Sequence, residues 1–208
     1  MNILIVDDHA IVRLGLKQLV VEAYPYAKLE EAATGKAALI LLDRVRWDLA
    51  ILDVNLPDQS GIELLKAMKA RQASLPVMML SLHPEEQYAL RALKSGASAY
   101  LTKERAPEEL ATAIKQVLAG RKFITATLAE RLATIAFSPT DQLPHERLSD
   151  REFQILCAIG QGKTVSSIAS DLALSVKTVS TYRTRLLDKL EMKNTTDLIR
   201  YTLDHALA

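Results

Sequence analysis

The chain has 208 residues, a formal net charge of +1 and 49% apolar residues, the composition of an ordinary soluble protein with one or two cores to bury. No apolar run nears the roughly 20 residues of a membrane span, and Met1 leads into a strand pattern without a cationic leader, so a cytoplasmic protein with no membrane partner is expected. Cys157 is the only cysteine, which excludes an intrachain disulfide and a cysteine metal cluster.

Residues 2–6 read as a short apolar strand that stops at the acid pair Asp7 and Asp8. A helical stripe follows over residues 9–22, with Ile11, Val12, Leu16, Leu19 and Val20 on it and Pro25 beyond its end. Residues 28–33 form a weaker, mixed strand suited to a sheet edge, and residues 35–44 a helix with Ala38, Leu39 and Leu42 to bury. Residues 49–52 have the makeup of a strand buried on both faces, and they end at Asp53. A loop containing Asn55, Leu56, Pro57 and Asp58 then enters a helix over residues 61–71. The strand at 76–80 ends in the hydroxyl of Ser81, a helix runs over 85–95 to Gly96, and a short strand at 99–101 precedes Lys103. Pro107 sits in the first turn of a closing helix that stops at Gly120. This alternation implies an α/β fold, a five-stranded parallel doubly wound (flavodoxin-like) sheet with helices on both faces. Such sheets bind ligands beyond the carboxyl ends of their strands, where Asp7, Asp8 and Asp53 fall.

An Asp at a strand end is by itself commonly a solvated terminus or a helix cap. Three carboxylates converging from two strands are different, because they repel one another unless a cation lies between them, and an all-oxygen site suits Mg²⁺. With Ser81 and Lys103 forming an oxyanion-binding corner, Asp53 reads as a nucleophile and its product as an aspartyl phosphate. The same residues, in order and spacing, resemble the receiver domains of bacterial response regulators over residues 1–121. The resemblance implies Asp53 as phosphoacceptor, Asp8 binding Mg²⁺ directly, Asp7 through water and Asn55 through its backbone carbonyl. It implies Ser81 and Tyr100 as a switch pair and Lys103 as the phosphate-pairing lysine. Where many receivers have a proline after that lysine, this chain has Glu104, a change expected to alter loop shape rather than chemistry. Asn55 and His83 hold the variable places that tune phosphoryl loss in receivers, and His9 reads as a loop residue rather than a metal ligand.

Residues 122–146 change character: 125–137 suit a short helix, whereas Ser138, Pro139, Thr140, Asp141 and Pro144 read as an exposed linker. Residues 147–208 are wholly helical in pattern, an all-α four-helix domain. Ser149 and Glu152 have capping-box spacing. Two short helices joined by Ala173, Leu174 and Ser175 have helix-turn-helix spacing. The helix after Ser175 carries Lys177, Arg183, Arg185, Lys189 and Lys193 against Asp188 and Glu191. A basic helix is often only a solvated face, but small hydroxyl residues at its start fit base edges while its cations reach phosphates. Leu148, Ser149, Arg151, Glu152, Gly162, Thr164, Ile168, Ala169, Thr178, Val179, Tyr182, Lys189 and Leu190 resemble the LuxR-type DNA-binding domain. That resemblance implies Ser180, Thr181 and Thr184 near base edges, and Lys177, Thr178, Arg183, Arg185 and Lys189 mostly facing phosphates. Val165 and Ser167 depart from the usual Asn and Glu.

Together the two resemblances imply a NarL/FixJ-type two-component response regulator rather than an enzyme. Its partners would be double-stranded DNA, a sensor histidine kinase and, once phosphorylated, a second copy. An aspartate-nucleophile phosphatase is the rival reading, weakened because Asn55 stands where such hydrolases carry a second carboxylate. A DNA-binding protein whose receiver ignores phosphate is the other.

Overall fold

The computed structural model describes residues 1–137 and 143–207. Packing divides the chain into two compact units, Met1–Leu132 and Ala133–Ala208, and no described helix is long and apolar enough to cross a membrane.

The first unit is a five-stranded parallel sheet in the order β2-β1-β3-β4-β5. The strands are β1 Asn2–Val6, β2 Lys28–Ala32, β3 Leu49–Asp53, β4 Val77–Ser81 and β5 Ala99–Thr102. Between and after them run α1 Ala10–Ala23, α2 Gly35–Leu42, α3 Gly61–Arg71, α4 Glu85–Lys94 and α5 Ala106–Leu118. Ile3, Ile5, Leu49, Ile51, Met78 and Leu80 share one core with Leu16 and Val20 of α1 and Leu110, Ile114 and Val117 of α5. The alternate strand residues, such as Leu4, Leu52 and Met79, are equally buried and point to the opposite face, which is why β3 and β4 read as continuous apolar runs. The sheet order places β1 beside β3, pairing Val6 with Leu52. Asp7 and Asp53, the next residue of each strand, therefore emerge side by side.

One glycine is demanded by space rather than by dihedral angle. A Cβ on Gly61 would lie 1.9 Å from the Asp53 carbonyl oxygen, and its N–H donates to Val54 O at 2.8 Å. The start of α3, closed by a Ser60–Glu63 capping box, is thus pressed against the backbone that carries Asp53. Farther along the same loop, Asp58 accepts from the amides of Gly35 and Lys36, both at 2.9 Å, a carboxylate at the positive end of α2.

The connecting stretch opens bonded into the first unit and then forms the short helix its sequence suits. Phe123 N–H donates to Ser98 O at 3.0 Å, and Lys122 Nζ reaches Ala97 O. Thr125 Oγ1 donates to Glu85 Oε2 at 2.7 Å and accepts from Leu128 N at 3.2 Å, capping α6 Ala126–Phe137. These residues extend the first unit along β5; no periodicity announces them, because they are held by single bonds rather than by an apolar stripe. Ser138, Pro139, Thr140 and Asp141 lie outside the described residues.

In the second unit a 3₁₀ turn, Pro144–Arg147, precedes α7 Asp150–Gly160, α8 Val165–Asp171, α9 Val176–Lys189 and α10 Thr195–Asp204. Each of these four helices has a side-chain N-cap, from Ser149, Thr164, Ser175 and Asn194. Phe153, Leu156, Ile159, Ile168, Val179, Leu186 and Leu198 are buried. Arg151 is buried as well, donating to Gln154 Oε1 at 2.6 Å and Leu172 O at 3.0 Å. Its second bond ties α7 to the turn between α8 and α9, where Ala173 takes a φ of +49°.

Replacing Gly61 by Ala forces methyl against backbone. It is expected to destabilise the fold by about 1–3 kcal/mol, read as a lower midpoint in urea unfolding.

Candidate functional site

The acid pocket sits at the carboxyl ends of β1 and β3. Asp53 and Asp7 are 3% and 1% exposed, while Asp8 is open to solvent. Lys103, just past β5, places its ammonium 2.8 Å from Asp53 Oδ2 and 2.7 Å from Asp7 Oδ2. Its backbone N–H donates to Ser81 O at 2.7 Å, which sets where β5 releases it. Burial pushes Asp53 up to about 6, Lys103 opposes that rise, and the neighbouring charge of Asp7 adds to it. Burial by itself would depress Lys103, but Asp53 and Asp7 more than offset this and leave its pKa raised.

Ligand atoms from Asp7, Asp8, His9 and Asp53 all lie within 4.8 Å of one another. Asp7 Oδ2 is buried without a well-directed hydrogen bond, despite the nearby ammonium. Three carboxylates around one ammonium leave an excess of negative charge and an under-satisfied oxygen, a donor set that fits a hard divalent cation. His9, read from sequence as a bystander, has Nδ1 2.8 Å from Asp8 Oδ1 and so belongs to the cluster. The pocket floor is braced from α1, where Arg13 Nη1 donates to the Asp7 carbonyl at 2.7 Å. Sequence reading passed over Arg13 and Asp58, whose polar partners are remote in the chain.

A hydrogen-bonded chain leaves the pocket along the loop after β4. Ser81 is fully buried and its Oγ accepts from His83 N at 2.9 Å. The Asn55 amide meets His83 Nε2 at 2.8 Å. Tyr100 OH donates to His83 O at 3.0 Å. Tyr100 is 2% exposed with Asp53 unmodified. The loop carbonyl thus provides a partner for its hydroxyl inside the fold.

On α9 the expected DNA-facing residues separate by exposure. Lys177, Thr181, Thr184 and Arg185 are exposed at helical spacing, whereas Thr178, Ser180 and Arg183 are half-buried. Thr181 and Thr184 donate back to the carbonyls of Lys177 and Ser180, and Arg185 lies over the Tyr182 ring, 5.8 Å from its centroid. Thr178 completes the Ser175 cap. Lys189 is exposed too, and its Nζ lies 2.8 Å from the buried Glu152 carboxylate, so it also braces α7.

A model of the response regulator receiver domain matches residues 3–115, and one of the LuxR family of bacterial regulatory proteins matches residues 146–202. Response regulator UvrY of Escherichia coli is 31% identical, covering 99% of this chain and 95% of its own. Response regulator GacA of Pseudomonas aeruginosa is 32% identical, covering 99% and 97%. Among solved structures, RcsB of Salmonella enterica serovar Typhimurium, bound to promoter rprA with the phosphomimetic BeF3−, is similar at a TM-score of 0.64 and 25% identity over 97% of this chain and 98% of that one. A structure of two RcsB dimers on two parallel DNAs is similar at a TM-score of 0.60 and 27% identity, over 97% of each chain.

Because the folded pKa of Asp53 is raised, its ionisation costs stability above about pH 6, and the cost disappears as pH falls toward 3.8, the ordinary value. Asp53→Asn should therefore be more stable than the parent by about 2–3 kcal/mol at pH 7.5. The gap should close toward pH 4, as read by denaturant unfolding at a series of pH values.

Proposed function

The chain belongs to the response regulators that join a receiver domain to a LuxR-type DNA-binding domain, the NarL/FixJ type, and on that premise we propose that phosphorylation of Asp53 by a sensor histidine kinase controls its hold on DNA. We assign residues 1–121 to the receiver, 122–146 to the connection and 147–208 to DNA binding. The observation that carries the reading is the buried Lys103 ammonium shared by Asp53 and Asp7, a cation already stationed where a phosphoryl group would arrive.

Asp7, Asp8, Asp53 and the carbonyl of Asn55 would hold Mg²⁺, which when bound supplies positive charge against phosphoryl oxygens. Ionised Asp53 attacks phosphorus, the bond from phosphorus to the donor's imidazole nitrogen breaks, and that nitrogen leaves with its electron pair. Lys103 and the Ser81 hydroxyl pair with the new oxygens. Turning Ser81 toward them releases its bond to His83 N and resets the loop whose carbonyl holds Tyr100. Phosphorylation would act by shifting a population between loop arrangements, a coupling typically of about 1–3 kcal/mol. Two residues after His83, Glu85 holds Thr125, the cap of α6. That bond offers an exit for the signal toward the DNA-binding half.

On DNA, Lys177 and Arg185 face phosphates, with Thr181 and Thr184 nearest base edges. The dimers of RcsB on DNA support a homodimer, with recognition helices about 10 base pairs apart. In α10, Leu198 is core and Tyr201 bonds His145, leaving Leu203 exposed for pairing. A regulator of this kind works beside the chromosome, in the cytoplasm.

Incubation with Mg²⁺ and acetyl phosphate should add one phosphoryl group by intact mass, absent in Asp53→Asn, together with tighter dimerisation and DNA binding. Absence of an adduct on folded protein would leave a phosphate-independent regulator. Thr125→Val should be phosphorylated like the parent yet lose most of the phosphorylation-dependent gain in DNA affinity, measured by fluorescence anisotropy.

A further inference from the structure

We infer that Arg13 is a positioning residue for the acid pocket: by gripping the Asp7 carbonyl it fixes the peptide joining Asp7 to Asp8, and through it the pocket's affinity for a divalent cation. The inference rests on the reading of that pocket as a metal site. Arg13 is 17% exposed, and its planar fork divides between two partners. Nη1 donates to Asp7 O at 2.7 Å, and Nε donates to Glu31 Oε2 at 3.1 Å. Glu31 is itself held by Lys17, whose Nζ lies 2.6 Å from Oε1, and Lys17, with Arg13 assisting, keeps its carboxyl below the usual range. Glu31 stands on β2 opposite Ile5 of β1, so the brace runs from the sheet edge through α1 to the loop that carries both acids. The other holds on Asp7 are its N–H to Ala32 O at 3.1 Å, Oδ1, which accepts from His9 N at 2.8 Å, and the Lys103 ammonium 2.7 Å from Oδ2. Arg13 is thus the side chain that holds its carbonyl. If its carbonyl rotates, the Asp7–Asp8 peptide rotates with it and carries the Asp8 carboxylate away.

Arg13 is also a positive charge near a cation site, and charge alone would oppose metal binding. The two accounts have opposite signs. Positioning predicts that Arg13→Met binds Mg²⁺ at least tenfold more weakly, in the roughly 10–100-fold range for partners of metal ligands; bare repulsion predicts tighter binding. Titration calorimetry of Mg²⁺ into the full chain decides between them, with thermal melting to show that each variant is folded. Arg13→Lys keeps the charge and should recover part of the loss, because a compact ammonium on a shorter reach cannot reproduce the spaced, planar Nε and Nη1 donors that meet Glu31 and the Asp7 carbonyl together. Glu31→Gln, which leaves Arg13 in place but loosens it, should weaken Mg²⁺ by less than Arg13→Met. Binding by folded Arg13→Met as tight as the parent or tighter would overturn the inference while leaving the metal site standing. A parent chain that takes up no Mg²⁺ would overturn both.

Discussion

A lysine ammonium shared by two buried aspartates is the constraint on which the receiver half depends. Two carboxylates at neighbouring strand ends repel, and burial sharpens that repulsion because little water is present to screen it. Lys103 offsets part of it, but one cation cannot balance Asp7, Asp8 and Asp53. Burial, with Asp7 adding to it, leaves Asp53 with a raised pKa despite Lys103, and Asp7 Oδ2 is left poorly bonded. A buried ion pair of this sort contributes little net stability. What it leaves is an under-satisfied pocket, with more carboxylate than cation.

The sheet exists, in this sense, to make that juxtaposition unavoidable. Only the reversal in strand order brings β1 beside β3, and the near-zero clearance at Gly61 clamps α3 onto the backbone of Asp53. The DNA-binding half solves a different problem. Four short helices cannot rely on propensity, and each opens on a side-chain cap. Glu152 serves twice, in the α7 capping box and as partner of Lys189 on α9. Charge there is used to join helices, not only to meet phosphates.

The parts legible in the sequence were those governed by periodicity and by chain order. Apolar runs ending in Asp53 and Ser81 gave away strands buried on both faces, and Ser149, Ser175 and the glycines past α4 and α5 marked helix ends to within a residue or two. Relations between residues far apart in sequence were not legible. Arg13 with Asp7 O, Asp58 with the start of α2, and Thr125 with Glu85 are single polar bonds that leave no repeating trace. The bond from Lys189 to Glu152 was hidden for a related reason, since a basic residue on a basic helix looks the same whether or not a glutamate lies within reach. Tyr100 and Ser81 both bond the backbone of His83, a meeting that depends on a loop that sequence cannot position.

The attachment of residues 122–125 to β5 has a consequence apart from signalling. β5 is an outer strand, and a bare outer strand offers unpaired amides and carbonyls to any other chain that presents its own. At the opposite border, β2 is guarded by Lys28, Glu30 and Glu31, whereas β5, with Ala99, Tyr100 and Leu101 buried, has no such charges. The bridge from Phe123 to Ala99 supplies the missing guard. A chain cut after residue 121 would keep every pocket residue and yet acquire a sticky seam, so the connecting segment also protects the receiver from aggregation.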